Sequence, residues 1–202
     1  MKGSVLSRRG FAGWLGVVAL SLTALAGIAC GPPGLVVKQA MPNPFVGKNE
    51  FVVEPVTYPN LSVGGKPEAT YLADKKPEAQ QSFEADKTET AKNLVETLMA
   101  EGAKRGLRIT PAAGAPGMFN IRPMVTFFEP GNFNGFVNIS TELKATLQIV
   151  DAQGQVIDEV LFQTTVGASL ANPSSGGRMH TAGKNLGALI ASYLQYRVAL
   201  SK

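Results

Sequence analysis

The stretch VNISTELKATLQI, residues 137–149, decides the fold, because apolar and polar side chains alternate along it without interruption. Strict period two over this length predicts a β-strand with one buried face and one face in water. Residues 151–155 then form a turn, with Gly154 where a positive φ is favoured. Residues 156–168 return as the partner strand. The centre of the chain is therefore predicted to be a long β-hairpin.

Two amphipathic helices are predicted, one before this hairpin and one after it. The first has apolar residues at i, i+3, i+4, i+7 and i+8, and Gly102 and Gly106 close it. The second covers residues 178–200 and follows a helix-start signal at 174–177. The apolar positions are Ala91, Leu94, Val95, Leu98 and Met99 in the first helix, and Leu186, Leu189, Ile190, Tyr193 and Leu194, with Arg197 at the same spacing, in the second.

Further strands are predicted over residues 51–58, from Leu107 onward and over 118–128. Pro55 places the first of these at a sheet edge or a bulge. Glycines and prolines between 60 and 81 indicate a long loop that is mobile or lies over the first helix. The order β-α-β-β-β-β-α predicts an α+β two-layer sandwich, with an antiparallel-rich sheet of four to five strands and two helices on one face.

The N-terminus has the three parts of an export signal. Basic residues are followed by the uncharged run 11–29 and then by Cys30, the one cysteine of the chain. Residues 25–31 resemble the lipobox of bacterial lipoproteins, although Gly27 departs from its usual pattern. The resemblance implies that Cys30 receives a diacylglycerol and becomes the mature N-terminus. The alternative is an uncleaved membrane anchor, since this uncharged run approaches the length that spans a bilayer.

The route of export has two interpretations. Ser7–Phe11 resembles the twin-arginine motif, with Arg8 and Arg9 adjacent and Phe11 two positions further on. The same residues also fit the ordinary basic region of a general secretory signal. The lipid anchor and the uncleaved membrane anchor both place the rest of the chain outside the cytoplasm and tethered to a membrane.

These patterns predict three regions: a signal peptide over 1–29, a lipid-anchored Cys30 with a proline-rich tether over 30–48, and a periplasmic α+β domain over 49–202. The chain has 19 Lys and Arg against 15 Asp and Glu. Lys2, Arg8 and Arg9 precede Cys30, which leaves 16 basic residues against 15 acidic ones in the remainder. Such a balance disfavours nucleic acid as a partner, because binding phosphates requires clustered basic residues.

Residues that could carry catalysis are few. His180 is the one histidine, and the sequence pairs it with no nucleophile or acid. Asp158 and Glu159 are neighbours on a predicted strand and so point to opposite faces, which excludes a shared carboxylate site. We expect both to be solubilising charges near the turn. No cofactor motif or metal-ligand spacing is present, and we expect no enzyme activity.

Two weaker binding sites are suggested. Arg178 and Lys184 lie near the start of the last helix, where an anion could bind to backbone N–H groups; a plain helix cap is the alternative. Phe133 and Phe136 lie on a glycine-rich loop and could contact a protein or lipid partner; core packing is the alternative.

The run Thr126–Asn132, followed by Asp151–Ile157, resembles a family of bacterial envelope lipoproteins of unknown function. A looser similarity exists to the auxiliary lipoproteins of ABC transporters, which have the same helix, hairpin, helix order. The resemblance implies an outer-membrane lipoprotein that faces the periplasm and acts as an accessory or scaffold subunit. A lipid or small-ligand carrier is the second expectation. Self-association is also compatible with the sequence.

Overall fold

The computed structural model describes residues 32–111, 119–133, 138–169 and 172–200. They belong to one compact unit, Gly31–Lys202. The strands in these ranges are β1 (Leu35–Gln39), β2 (Glu50–Val53), β3 (Ser62–Val63), β4 (Lys66–Pro67), β5 (Arg108–Thr110), β6 (Phe119–Glu129), β7 (Asn132–Phe133), β8 (Asn138–Ile139), β9 (Thr141–Val150) and β10 (Val156–Val166). The helices are α1 (Glu68–Ala73), α2 (Pro77–Lys104) and α3 (Ser175–Ala199).

The main sheet is open and has eight strands. Its order is β1-β10-β9-β6-β2-β5, with β3 paired to β6 and β4 paired to β3. The long central pairs are antiparallel, whereas β2 pairs in parallel with β5 and β6. A mixed α+β fold is therefore confirmed, but the expected four to five strands are too few. Several of the added strands are only two to five residues long. Their sequences are too short to show a period-two pattern, and they form by pairing with neighbouring strands.

The alternation along β9 is confirmed, and it positions the core. Leu143, Ala145, Leu147 and Ile149 are buried, while the polar residues that alternate with them are partly or fully exposed. The buried side chains join one cluster with Leu94 and Leu98 from α2 and with Leu186 and Ile190 from α3. The two long helices therefore cover one face of the sheet. We call the other face of β1, β10, β9 and β6 the open face.

The turn of the hairpin is also confirmed. The backbone N–H groups of Gln153 and Gln155 donate to Asp151 Oδ1 at 3.0 and 2.8 Å, and Gly154 has φ 77°. The first strand of the hairpin, β9, is shorter than predicted, since it begins at Thr141. Residues 138–139 pair instead with β7 in a separate two-stranded sheet, because the chain bends away from β6 at Gly131, where φ is 69°.

Helices α2 and α3 pack so closely that glycines of α3 lie against the backbone of α2. A Cβ added to Gly183 would lie 2.6 Å from Thr90 O, and one added to Gly187 would lie 2.4 Å from Leu94 O. This close approach buries Thr90, whose hydroxyl donates to Asp86 O within the helix. The buried stripe of α2 is therefore broader than its apolar residues alone indicate.

The region predicted as a tether, residues 30–48, differs in the structure. Residues 35–39 form β1 at the edge of the main sheet, with Leu35 opposite Leu161. Phe45 is fully buried, and its ring lies 5.8 Å from that of Phe51 and 4.8 Å from that of Phe119. The prolines of this region therefore flank a strand and a buried core residue, and the region is not a free tether.

Two other predictions near the N-terminal side of α2 need correction. Strand β2 ends at Val53 and lies between β5 and β6, so it is an inner strand and Pro55 stands beyond its end. The expected loop over 60–81 instead contains β3, β4 and α1. Helix α2 also begins within this range, and Pro77 is its first residue. Proline is favoured there because the first helical N–H has no partner within the helix.

Candidate binding surface on the open sheet face

A row of mostly apolar side chains crosses the open face. Cross-strand register aligns Leu35 on β1, Leu161 on β10, Thr146 on β9 and Met124 on β6. Directly opposed side chains on neighbouring antiparallel strands lie about 4.5–5.5 Å apart, so the row is continuous. Leu35 and Leu161 are 66% and 40% exposed. We call these four residues the apolar row.

Polar side chains flank the apolar row on both sides. On one side Lys144 pairs across the strands with Gln163 and lies 4.9 Å above the ring of Phe127. On the other side Gln148 Nε2 donates to Glu159 Oε2 at 2.7 Å. An apolar centre with a polar rim is the usual anatomy of a protein-binding surface.

A groove of about 450 Å³ lies beside β1 on this face. Its lining includes Gly34, Leu35, Thr126, Lys144, Leu161 and Gln163. Gly34 has φ 103°, and a Cβ on it would lie 2.9 Å from Leu161 O. Glycine is therefore needed for the chain to approach β10 and start β1, which shapes one wall of the groove.

The free edge of β1 is poorly suited to pairing with another strand. The strand has five residues, and its register shifts between Val36 and Lys38. Short length, a bulge and a lysine are the features by which edge strands avoid adding a further strand. The free edge of β1 therefore offers less to backbone pairing than a long, regular edge strand does.

A buried charge cluster holds the end of β1 against α3. The carboxylate of Asp158 accepts hydrogen bonds from Arg197 Nε and Tyr193 Oη, both at 2.7 Å, and from Ala40 N at 3.0 Å. Burial, followed by the hydrogen bond and charge of Asp158, raises the pKa of the Tyr193 hydroxyl, so it stays a donor. Asp158 is fully buried, which corrects its assignment as a solubilising charge.

His180 has a partner that the sequence did not indicate. His180 Nε2 and Asp86 Oδ1 lie 3.1 Å apart, and both side chains are partly exposed. Asp86 also lines a groove of about 210 Å³ with Ser82 and Ser175. An acid and an imidazole are thus paired, but no serine of the described ranges is hydrogen-bonded to His180. Asp86 and His180 are 94 positions apart, so no local pattern could have joined them.

The structure separates Arg178 from Lys184. Arg178 is fully buried, and its guanidinium donates to Thr141 Oγ1 at 2.9 Å and to Pro130 O at 3.1 Å, with a further donation to the Pro173 carbonyl. Lys184 is exposed, six positions further along α3. The guanidinium is committed to protein oxygens, and α3 begins with an ordinary cap in which Ser174 Oγ accepts from Gly177 N.

The other sequence-predicted site residues lie outside the described residues, except for the backbone of Phe133. Arg8, Arg9, Phe11 and Cys30 precede the first described residue, and Phe136 lies in the gap at 134–137. Phe133 is placed only as backbone in β7. Their roles in export, lipidation and partner contact therefore stay predictions.

No helix in the described part of the chain has the length and apolar character needed to cross a membrane. In the same ranges, no group of three or more His, Cys, Asp or Glu side chains is arranged to hold a metal ion.

No known protein family and no curated protein matches this chain. Partly similar solved structures include a minor lipoprotein from Acinetobacter baumannii, 12% identical over 73% of this chain and 93% of that chain, with a TM-score of 0.44. A DUF330 protein from Xanthomonas campestris is 11% identical over 81% of this chain and 93% of its own, with a TM-score of 0.46. The PelC dodecamer from Paraburkholderia phytofirmans is 12% identical over 71% and 88%, with a TM-score of 0.37. These values are too low to assign a family.

Proposed function

We propose that this chain is an envelope lipoprotein, anchored through Cys30 to the outer membrane and facing the periplasm. In this proposal it is a non-catalytic accessory or scaffold subunit that binds a partner protein through the apolar row. The observation that carries the proposal is the exposure of Leu35 and Leu161, which lie between polar side chains on the open face.

The position of this surface in the chain supports the proposal. Leu35 belongs to the first strand and follows Cys30 by five residues. At about 3.3–3.6 Å per residue, this segment holds Leu35 within about 18 Å of the lipidated cysteine. A partner bound on the apolar row would therefore be kept close to the membrane, as an envelope scaffold requires.

The anchor is tested by Cys30→Ala. We expect the wild-type chain, expressed in a bacterial host, to have a mature mass raised by acyl chains and to be recovered with the membrane. The Cys30→Ala chain is expected to lose the acylated mass, because only the thiol can accept the lipid. Intact mass spectrometry and membrane fractionation measure both effects.

A paired Arg8→Lys, Arg9→Lys chain is the control for the export route. Loss of export in this variant indicates the twin-arginine route, whereas normal export and acylation indicate the general secretory route. An unmodified, full-length wild-type chain that stays in the membrane would contradict the lipid anchor and make residues 11–29 a transmembrane segment.

The binding surface is tested by photo-crosslinking from Leu161. A photoreactive residue at this position is expected to give one discrete adduct in intact cells, because Leu161 lies in the centre of the proposed contact. The matched control is Glu96, an exposed residue on α2, which should give no such adduct. Equal labelling from both positions, or none from Leu161, would count against a partner at the apolar row.

A lipid or small-ligand carrier is the alternative function. The groove beside β1 favours it, since about 450 Å³ lies within the range of small-molecule sites, roughly 300–1,000 Å³. Its lysine and glutamine lining is less suited to an acyl chain than an enclosed apolar cavity. A small molecule that copurifies with the chain and is detected by native mass spectrometry would favour the carrier over the scaffold.

A further inference from the structure

Exposed apolar side chains gather at the end of the domain where α3 stops. Met41 is 78% exposed, Val46 57% and Leu200 56%. Asn43 Nδ2 donates to Arg197 O at 2.8 Å, so the loop between β1 and β2 lies against the last turn of α3. Leu200 follows that turn directly. We call Met41, Val46 and Leu200 the apolar base.

Basic residues lie beside the apolar base. Lys48 follows Val46 on the same loop, and Arg108 N donates to Asn49 O at 2.8 Å, which brings the start of β5 beside it. Asn49 Nδ2 donates to Gly106 O at 3.0 Å, which adds the end of α2. This collar contains Lys48, Lys104, Arg105 and Arg108. Glu101 pairs with Lys104 and Arg105, and Glu50 with Arg108, so the basic charges outnumber the acidic ones.

From this juxtaposition we propose that the apolar base is a membrane-docking surface, with its three side chains in the headgroup region of an anionic bilayer. Apolar side chains ringed by lysine and arginine bind such an interface through both apolar burial and attraction to anionic headgroups. A protein partner is less suited to the apolar base, because few apolar side chains are exposed there and several charged ones lie beside them.

The covalent path of the chain permits this docking. The proposal rests on the lipid anchor, and the six residue steps from Leu35 along β1 to Met41 in the apolar base span at most about 20 Å. The five residue steps from Cys30 to Leu35 reach up to about 18 Å, which is close to that span, so the lipid can lie in the same bilayer as the base. In this orientation β1 stands upright on the membrane, and the apolar row stays open to a partner.

Single tryptophans test the docking in the full lipidated chain. Trp14 is the one natural tryptophan and precedes Cys30, so the mature chain has no competing fluorescence. The probes are Met41→Trp and Leu200→Trp. The control is Ile139→Trp, an exposed apolar residue in β8 that precedes Thr141 by two positions, and Thr141 accepts a hydrogen bond from Arg178 in the first turn of α3. The chains are reconstituted in vesicles of phosphatidylethanolamine and phosphatidylglycerol with brominated acyl chains, which quench tryptophan on contact.

The expected result is a loss of fluorescence at positions 41 and 200 and unchanged fluorescence at 139. Lys48→Glu combined with Arg108→Glu should reduce this quenching in the same vesicles. Hydrogen exchange of the wild-type chain gives a second measurement, with slower exchange over 40–48 when vesicles are present.

Three results would overturn the docking. They are no quenching at any position in an acylated chain, equal quenching at all three, and slower exchange over 40–48 without vesicles on raising the protein concentration, which would indicate a second copy on the base. The mass of the same sample shows whether the anchor is present. Failure of the docking is therefore distinguishable from failure of the lipoprotein proposal.

Discussion

Asp158→Ala is expected to lower the free energy of unfolding by about 3–5 kcal/mol, the cost of leaving a buried charge without its partner. Arg197 is 1% exposed, and in the wild-type chain its guanidinium is held by both oxygens of Asp158. The alanine variant removes the only carboxylate paired with Arg197 in the described residues. Urea unfolding followed by circular dichroism measures the loss.

Two controls separate the charge effect from the loss of packing. Glu159→Ala removes the neighbouring carboxylate on the open face and should cost less than about 1 kcal/mol, because that group is partly in water. Asp158→Leu combined with Arg197→Met should be more stable than Asp158→Ala, since no charge is left unpaired. If the free energy of unfolding of the Asp158→Ala chain is within about 1 kcal/mol of the wild-type value, water or another group replaces the carboxylate.

The same substitution should loosen the binding surface. Ala40 N donates to Asp158 Oδ1, and Arg197 Nη2 donates to Ala40 O at 3.1 Å, so the cluster fastens the end of β1. Hydrogen exchange over residues 35–40 is therefore expected to rise in Asp158→Ala under conditions where α2 stays protected. Both the apolar row and the apolar base depend on this attachment, because β1 connects them.

Gly187→Ala is expected to destabilise the domain by about 1–3 kcal/mol, the usual cost of overpacking a close contact. The new Cβ would lie 2.4 Å from Leu94 O and 2.9 Å from Leu98 N, which are backbone atoms that cannot rotate away. The helices must move apart, and this penalty outweighs the gain of roughly 1 kcal/mol from replacing glycine by alanine in a helix. Thermal and urea unfolding of the variant measure the net effect.

Gly167→Ala is the matched control for Gly187→Ala, because a Cβ there would meet no atom within 4 Å and the φ angle is an ordinary one. We expect its unfolding free energy to equal that of the wild type or to exceed it slightly. Equal stability of the Gly187→Ala and wild-type chains would mean that α2 and α3 can separate without loss, contrary to their contact in the structure.

Local patterns predicted the parts of the fold that neighbouring residues determine. The alternation along β9 reports burial of one strand face, and Asp151 and Gly154 build their turn from atoms a few residues apart. The spacing on α3 even included Arg197 in the apolar stripe, where the structure buries it. Such features depend on side-chain period and turn chemistry, which can be read along the chain.

The sequence by itself determined the α+β class, the hairpin, the two long helices and the expectation of a lipid at Cys30. Only the tertiary structure decided that residues 35–39 form an edge strand, that Asp158 is a buried partner of Arg197, and that Asp86 faces His180. The apolar row and the apolar base also belong to this second group. The reason is physical: each depends on residues brought together from distant parts of the chain, and a short, proline-flanked strand becomes stable only when its partner β10 is in place.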